Sequence, residues 1–564
     1  MPSRRAGRLA LPLAIALAVS ACASSATGSP GPSRAGSSGR PAVTSPASVG
    51  EASAAATMGP ASGGPGASSS GPAGASSLPG GSGSPGPSGI AGASGSPAGS
   101  VPLAVVTGFA NYRVDSVTPA DLAAALASGM LLVPCGADRG VSAALGVTSP
   151  SASCVPADRI PARLPASSTT LALLPPGLVT PALRVVPIGS ADLFGETPAR
   201  AVPYPLTIPS PAGWAPSWMA YDPADVRVVL TTGVNCPDRG VSYQANVLGK
   251  GWDWLLQAGT ARYTGRHWDP EFGWWVVDAV RTDHAGAVRD LIRNADIAVS
   301  DFECSMTPSF TQHDSGTDFT IDPRVAPLMG QAGFDVATIA ADHNTNPGLA
   351  AVPYTVNAFR ANGVRAVGGG ATLSQALRPA VLDVRGVRFG FVGFDAIGGS
   401  AAATSTSPGV APLTAANART AIGAARRQGA QVVFALPQWS SVEYRAAFTP
   451  FQDGLTSLLE AAGADEIIGA DFHWAGAISI SPGGAAGYRL VTASQGNFWF
   501  GQDWSRQTQE GVMTMLTFVG TQLAQVRLIP TVVLDDAQPN LTDPATDGQF
   551  VLHQVFSASR LLTP

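Results

Sequence analysis

Past its first hundred residues the chain alternates between buried-strand and amphipathic-helix patterns. VRVVLTTG, from Val226, is a continuous apolar run ending in a Gly turn and predicts a buried strand. AGAVRDLIRNAD then predicts a helix and IAVSDFE a second strand. The alternation continues through VAPLMGQAGFD, VATIAADH, YTVNAFRANG, VRAVGG, VRFGFVGF, AARRQGAQ, VVFALPQW, FQDGLTSLLEAAGAD and EIIGADFH. Strands and helices of this length predict an α/β sheet with helices on its faces. After Ile478 the segments are mostly strands: AISIS, YRLVTAS, GNFWF, GVMTMLTFVG and AQVRLIPTVVL. A domain over 225–564 is therefore expected to begin α/β and end β-rich, as two sheets packed face to face require.

Residues 101–224 predict a smaller α/β lobe. VPLAVV, LALLPPGL, LRVVPIG and YPLTIP predict strands, and Thr118-Pro119-Ala120-Asp121 opens a helix with Thr as N-cap and Pro at its first position. The lobe resembles a fragment of a periplasmic binding protein, without a site to name. Residues 23–100 are almost only Gly, Ser, Ala and Pro. They offer too few apolar side chains to offset the entropy of ordering, so a disordered tether is expected. Before it, MPSRRAGRLALPLAIALAVSAC carries a basic start (Arg4, Arg5, Arg8) and an apolar run from Leu9 to Val19. That run is too short to span a bilayer and has the flanks of a secretory signal over 1–22. Val19-Ser20-Ala21-Cys22 resembles a bacterial lipobox, which makes Cys22 the expected lipidation site and the membrane an expected partner. An ordinary signal with an incidental cysteine is the alternative.

Composition narrows the partners. Charged residues make up 13% of the 564 and the formal net charge is −5, which argues against nucleic acid as a ligand. Four cysteines remain beyond Cys22, an even number in an exported chain. Three pairings are open, and Cys135–Cys154 with Cys236–Cys304 is favoured by position in the segments. GWDWLLQAGTARYTGRHWDPEFGWW is dense in aromatics. Either a packed insertion or a carbohydrate platform fits it.

The candidate chemistry lies at strand ends, where α/β sites form. Those ends are Gly233-Val234-Asn235-Cys236-Pro237-Asp238-Arg239-Gly240, Ser300-Asp301-Phe302-Glu303, Ala341-Asp342-His343-Asn344, Pro437-Gln438-Trp439 and Gly469-Ala470-Asp471-Phe472-His473. The last four gather carboxylate, amide or imidazole groups at strand-to-loop junctions, the layout of ligands converging on a cation. Only six histidines occur in the chain, and two fall here.

In order along 226–561, GVNCPDRG, DFE, AADHNTNPG, PQWSSVEY, AGADEIIGADFH and SQGNFWF resemble the motifs of the CapA family of bacterial capsule or poly-γ-glutamate synthesis proteins. The resemblance implies a four-layer αββα sandwich of calcineurin-like metallophosphoesterase type. It implies metal positions at Glu303, Asp342, Gln438, Asp471 and His473, with His343 as a general acid and Arg239 and Asn497 near substrate. Several of these depart from the family. Val234 stands where its first aspartate belongs, Asp342 where it has asparagine, and Gln438 and Asp471 where it has histidines. Asp238, four residues further on, is an alternative replacement for the missing aspartate. The remaining set is rich in oxygen and suits Mn, Mg, Ca or Fe, one ion or two. A site without metal is the alternative.

Three functions follow as expectations. One is a lipid-anchored, extracytoplasmic role in synthesis, export or attachment of an anionic surface polymer, within a synthesis or export complex. Another is a metal-dependent phosphoesterase or cell-wall hydrolase. The last is a scaffold that binds cell-wall glycan without catalysis.

Overall fold

The computed structural model describes residues 99–147, 154–313, 315–439 and 444–561, which belong to one compact unit. The expected signal, Cys22 and the tether lie outside the described residues. No helix among the described residues is long and apolar enough to cross a membrane.

Eight strands of the larger domain bear on the site: β1 (Val226–Asn235), β2 (Thr260–Asp269), β3 (Trp274–Arg281), β4 (Ile297–Phe302), β5 (Val336–Thr338), β6 (Val387–Asp395), β7 (Val432–Gln438) and β8 (Glu466–Ile468). One sheet has nine strands and runs from Arg365–Val367 through β5, β4 and β1 to the antiparallel strands Glu510–Val519, Gln522–Leu534 and Gln538–Thr542, ending at β2 and β3. β5, β4 and β1 are mutually parallel. The other sheet has six strands, with β6, β7 and β8 parallel at its centre.

Side-chain alternation explains the layering, because successive residues of a strand face opposite sides. In β1, Val229 points into the core between the sheets, whereas Val228 and Leu230 point outward under helices. In β7, Val432, Phe434 and Leu436 face the same inter-sheet core, whereas Val433 and Ala435 meet the outer helices. Helices Val325–Ala332 and Ala351–Ala361 cover the first sheet; Ala415–Arg427 and Pro450–Ala462 cover the second. The result is the expected αββα sandwich. Its parallel strands all end at one rim, and the candidate residues sit there.

The N-terminal residues form a four-stranded sheet of their own. Helix Pro119–Ala127 starts with the expected Thr118 cap, completed as a capping box by Asp121. Strand Ala104–Gly108 is antiparallel to both its neighbours, unlike the parallel crossovers of a binding-protein lobe. This layer is joined to the sandwich by buried polar bonds. Leu528 N donates to the Tyr112 hydroxyl at 2.8 Å, and Val185 N to Gln525 Oε1 at 2.9 Å.

Both favoured disulfides are present. Cys135–Cys154 closes the lobe's loop, and Cys236–Cys304 joins the segments that leave β1 and β4.

Candidate metal centre

Short bridges carry the strand pairing past the strand ends into the site. Cys304 pairs with His343, Gln438 with Ala470, and Val234 with Asn497. Asn344 fixes the loop after β5 against the end of β4. Its amide nitrogen donates to the carbonyls of Phe302 and Glu303 at 3.2 and 2.9 Å, and its oxygen accepts from Ser305. These ties bring Glu303, Asp342 and His343 together, with one ligand atom from each lying within 4.8 Å of the others. His343 Nε2 stands 3.9 Å from Glu303 Oε1 and 3.7 Å from Asp342 Oδ2.

Gln438 and Asp471 join this group from the second sheet. The Gln438 amide nitrogen donates to Asp342 Oδ1 at 3.1 Å and to Asp471 Oδ1 at 3.3 Å. Its oxygen accepts from Asp342 N at 2.6 Å. Gln438 thus turns its NH₂ toward the carboxylates, and its carbonyl is already engaged. In this orientation it spaces two acids and does not offer a ligand oxygen. Asp471 holds φ at +103°, a region that side-chain-bearing residues seldom adopt. Such strain persists only where the surroundings impose it.

The two histidines differ in where their proton sits. His473 is buried, and its Nδ1 bonds Asn497 Oδ1 at 2.9 Å. Asn497 uses its own NH₂ on Thr508 O and Gln502 Oε1, so its oxygen must face the imidazole. His473 therefore carries its proton on Nδ1 and leaves Nε2 as a lone pair, the form a metal ligand takes. Burial pushes its pKa down to about 3, so it is neutral. His343 is the reverse. The Asn346 amide is satisfied when its NH₂ donates to His343 Nδ1 and to the carbonyls of Thr317 and His343. The His343 proton then sits on Nε2 and faces Glu303 and Asp342, the form of a proton donor. His473 lies outside the cluster of three, among the rings of Phe500 and Tyr444.

Arg239 is anchored rather than open. Its guanidinium donates to the Gly316 carbonyl and lies over the Phe319 and Phe500 rings at 4.7 and 5.6 Å from their centroids. Asn497 is occupied in orienting His473. Val234 is buried in the outer core with Cys236 and contributes no polar atom. Asp238 does not replace it. It is fully buried and accepts from Arg239 N and Thr320 N, both at 2.9 Å, and pairs with His313 Nδ1 at 2.7 Å. It caps a short helix and holds a loop, which an Asp ahead of a helix start signals in sequence.

Two further acids of the site were assigned no role from the sequence: Asp301, within a candidate strand end, and Asp395, at an end not singled out. Asp301 is buried, and its Oδ2 has no partner. Burial first, and then the charge of Asp342, push its pKa up to about 7. Asp395 ends β6 directly opposite Gln438 and accepts from Ile397 N and Gly398 N. Burial raises it to about 6 against those bonds, with Asp342 adding to the rise. The strand-end rule that picked out Glu303 applies equally to both. Together, acids crowded around Asp342, an orphaned buried carboxylate oxygen and an imidazole set as a ligand fit a divalent cation.

Residues 253–502 match the family described as bacterial capsule synthesis protein PGA_cap. The chain is 25% identical over 289 residues to a capsule biosynthesis protein CapA of Bacillus anthracis, across 50% of this chain and 68% of that one. Among solved structures it is similar to the NAD nucleotidase of Haemophilus influenzae, with a TM-score of 0.32 and 11% identity over 60% of this chain and 57% of that one. The calcineurin-like phosphoesterase YfkN of Bacillus subtilis gives a TM-score of 0.27 and 14% identity over 58% of this chain and 97% of that one. At these scores the likenesses add nothing to the layering read from the strand order.

Proposed function

The chain belongs to the bacterial capsule synthesis protein family, and on that premise we propose that it acts outside the cytoplasm, held by a lipid on Cys22, in making, exporting or attaching an anionic surface polymer. Its centre takes one divalent cation, held by Glu303 and Asp342, with His473 and Asp471 completing the shell from the second sheet. The convergence of the Glu303 and Asp342 carboxylates, with the His343 Nε2 3.9 and 3.7 Å from them, carries this reading. The oxygen-rich set favours Mn, Mg, Ca or Fe over zinc.

A bound cation supplies Lewis-acid polarisation of a phosphoryl or carboxyl oxygen of the substrate. The chain's own groups set the rest. Gln438 keeps the Asp342 and Asp471 carboxylates apart and oriented. His343 presents a proton on Nε2 for a leaving group, a role a general acid fills at hydrogen-bond reach. Asn497 keeps His473 in the ligand tautomer. With an apolar Val234 at the end of β1 and Gln438 donating, a second cation lacks the anchors that two-metal phosphoester hydrolysis needs. Polymer handling is therefore favoured over fast phosphodiester turnover.

The test is metal content by mass spectrometry on the purified chain, beside complementation of a deletion strain. Near one equivalent of Mn, Mg, Ca or Fe is expected, with loss of both metal and anionic surface polymer in Asp342→Ala. A metal-free wild type after incubation with Mn²⁺, or full polymer from Asp342→Ala, overturns the reading.

A further inference from the structure

The aromatic-rich segment divides into a packed part and an open part. Trp252 is buried in the core under the first sheet. β2 and β3 then form an antiparallel hairpin at the sheet edge, with Trp268 opposite Trp275. Two of its aromatics seat it against the sandwich. Trp274 meets Trp474 edge to face at 5.7 Å, and Phe272 stacks on Trp504 at 5.5 Å. Trp474 directly follows His473, so the hairpin is fixed to the loop that carries a site residue.

Trp268 and Trp275 are turned elsewhere. They are 50% and 45% exposed and touch each other edge to face at 5.7 Å. Arg266 lies over the Trp275 ring, 4.6 Å from its centroid, and no carboxylate among the described residues pairs with it. These groups line a cleft of about 450 Å³ together with Arg506, whose Nη1 is already paired with the buried Glu510 at 2.9 Å. Exposed indoles on a hairpin seated by other aromatics form a preorganised surface, so little ordering cost falls on binding.

We propose that the Trp268–Trp275 face of the β2–β3 hairpin, with Arg266 and Arg506, is a binding site for a carboxylate-bearing saccharide. Indole faces match the apolar C–H faces of sugar rings. The Arg266 guanidinium, paired with no carboxylate among the described residues, matches a carboxylate with fork geometry, and Arg506 adds positive charge with the donors that Glu510 leaves. A polycarboxylate polypeptide satisfies the charges but leaves the indoles without a flat apolar partner. A neutral sugar does the converse. This site stands whether or not the metal centre is occupied.

Isothermal titration calorimetry on the purified full-length chain tests it, with hexameric oligogalacturonate as the probe. Neutral chitohexaose and poly-γ-glutamate serve as comparisons. Saturable binding of oligogalacturonate is expected, weakened roughly tenfold in Trp268→Ala and in Arg266→Ala and kept in Trp268→Phe. Both side chains lie on an open surface, and an unchanged thermal midpoint shows that each of the three variants is folded. No saturable binding, or full affinity in folded Trp268→Ala, overturns the site. Equal affinity for chitohexaose overturns the role of the guanidiniums, and tighter binding of poly-γ-glutamate overturns the saccharide as occupant.

Discussion

The segments leaving β1 and β4 lie side by side, are tied by Cys236–Cys304, and each buries an aspartate, yet the two acids live differently. Asp238, after β1, is taken up by its own protein: two backbone N–H groups, His313 and the Ser242 hydroxyl surround it. Asp301, at the end of β4, keeps an oxygen with no partner and is pushed up to about 7. Burial is common to both. What differs is whether the fold supplies donors. Where it does, the acid is structural. Where it does not, and further acids gather as Glu303, Asp342 and Asp395 do, the site suits the cation proposed above.

That contrast can be broken in several ways. The largest effect is expected from removing the clamp that holds both segments. Cys236→Ser with Cys304→Ser opens a loop of 68 residues' separation, which in the chain-entropy model costs about 4 kcal/mol. Denaturant unfolding under oxidising conditions measures it, and a midpoint equal to wild type would remove the clamp from the account.

Asp238→Ala comes next. It strands the Arg239 and Thr320 N–H groups in a buried setting, with an expected loss of about 3 kcal/mol. Metal bound per folded molecule should not change. If Asp238→Ala instead abolishes metal at unchanged stability, Asp238 is the displaced ligand after all.

A smaller effect concerns an acid that has donors and is still raised. Glu510 is buried, bonded by Tyr263 and Arg506, and pushed up to about 7 because desolvation outweighs both. The folded chain holds this proton more tightly than the unfolded chain does. Between the ordinary 4.5 and about 7 the native state therefore binds more protons, and stability falls as pH rises. Glu510→Gln should flatten that decline by on the order of 2 kcal/mol, read from urea unfolding at pH 4.5 and 8. An unaltered slope in the variant would mean that the bonds, not burial, set its charge.

The layering was legible in the sequence, and so was the placement of several candidate residues at one rim. Period-two alternation in β1 and β7, the Thr118 cap and the strand-end positions of Glu303, Asp342 and His343 are local properties, readable without neighbours. The divided roles were not readable. Asp238 is identified as structural by Thr320 and His313, some 75 to 82 residues away. The Gln438 amide is turned by a backbone N–H from the other sheet. The two histidines take opposite tautomers because Asn346 and Asn497 face them differently. The Trp-rich segment likewise split, since Trp252 went to the core and Trp268 to the surface. Each of these depends on which donor the fold places opposite a given group, and residue type alone does not say.

On the proposed reading, the cluster around Asp342 takes a cation and Asp238 does not. Thermal unfolding of the metal-stripped chain, with and without Mn²⁺ at saturating concentration, tests this most directly. Binding to the native state alone at about a hundred times Kd adds roughly 2.7 kcal/mol, or a rise of several degrees. The rise is predicted for wild type and Asp238→Ala and should vanish in Asp342→Ala. No rise in wild type, or an equal rise in Asp342→Ala, would contradict the account.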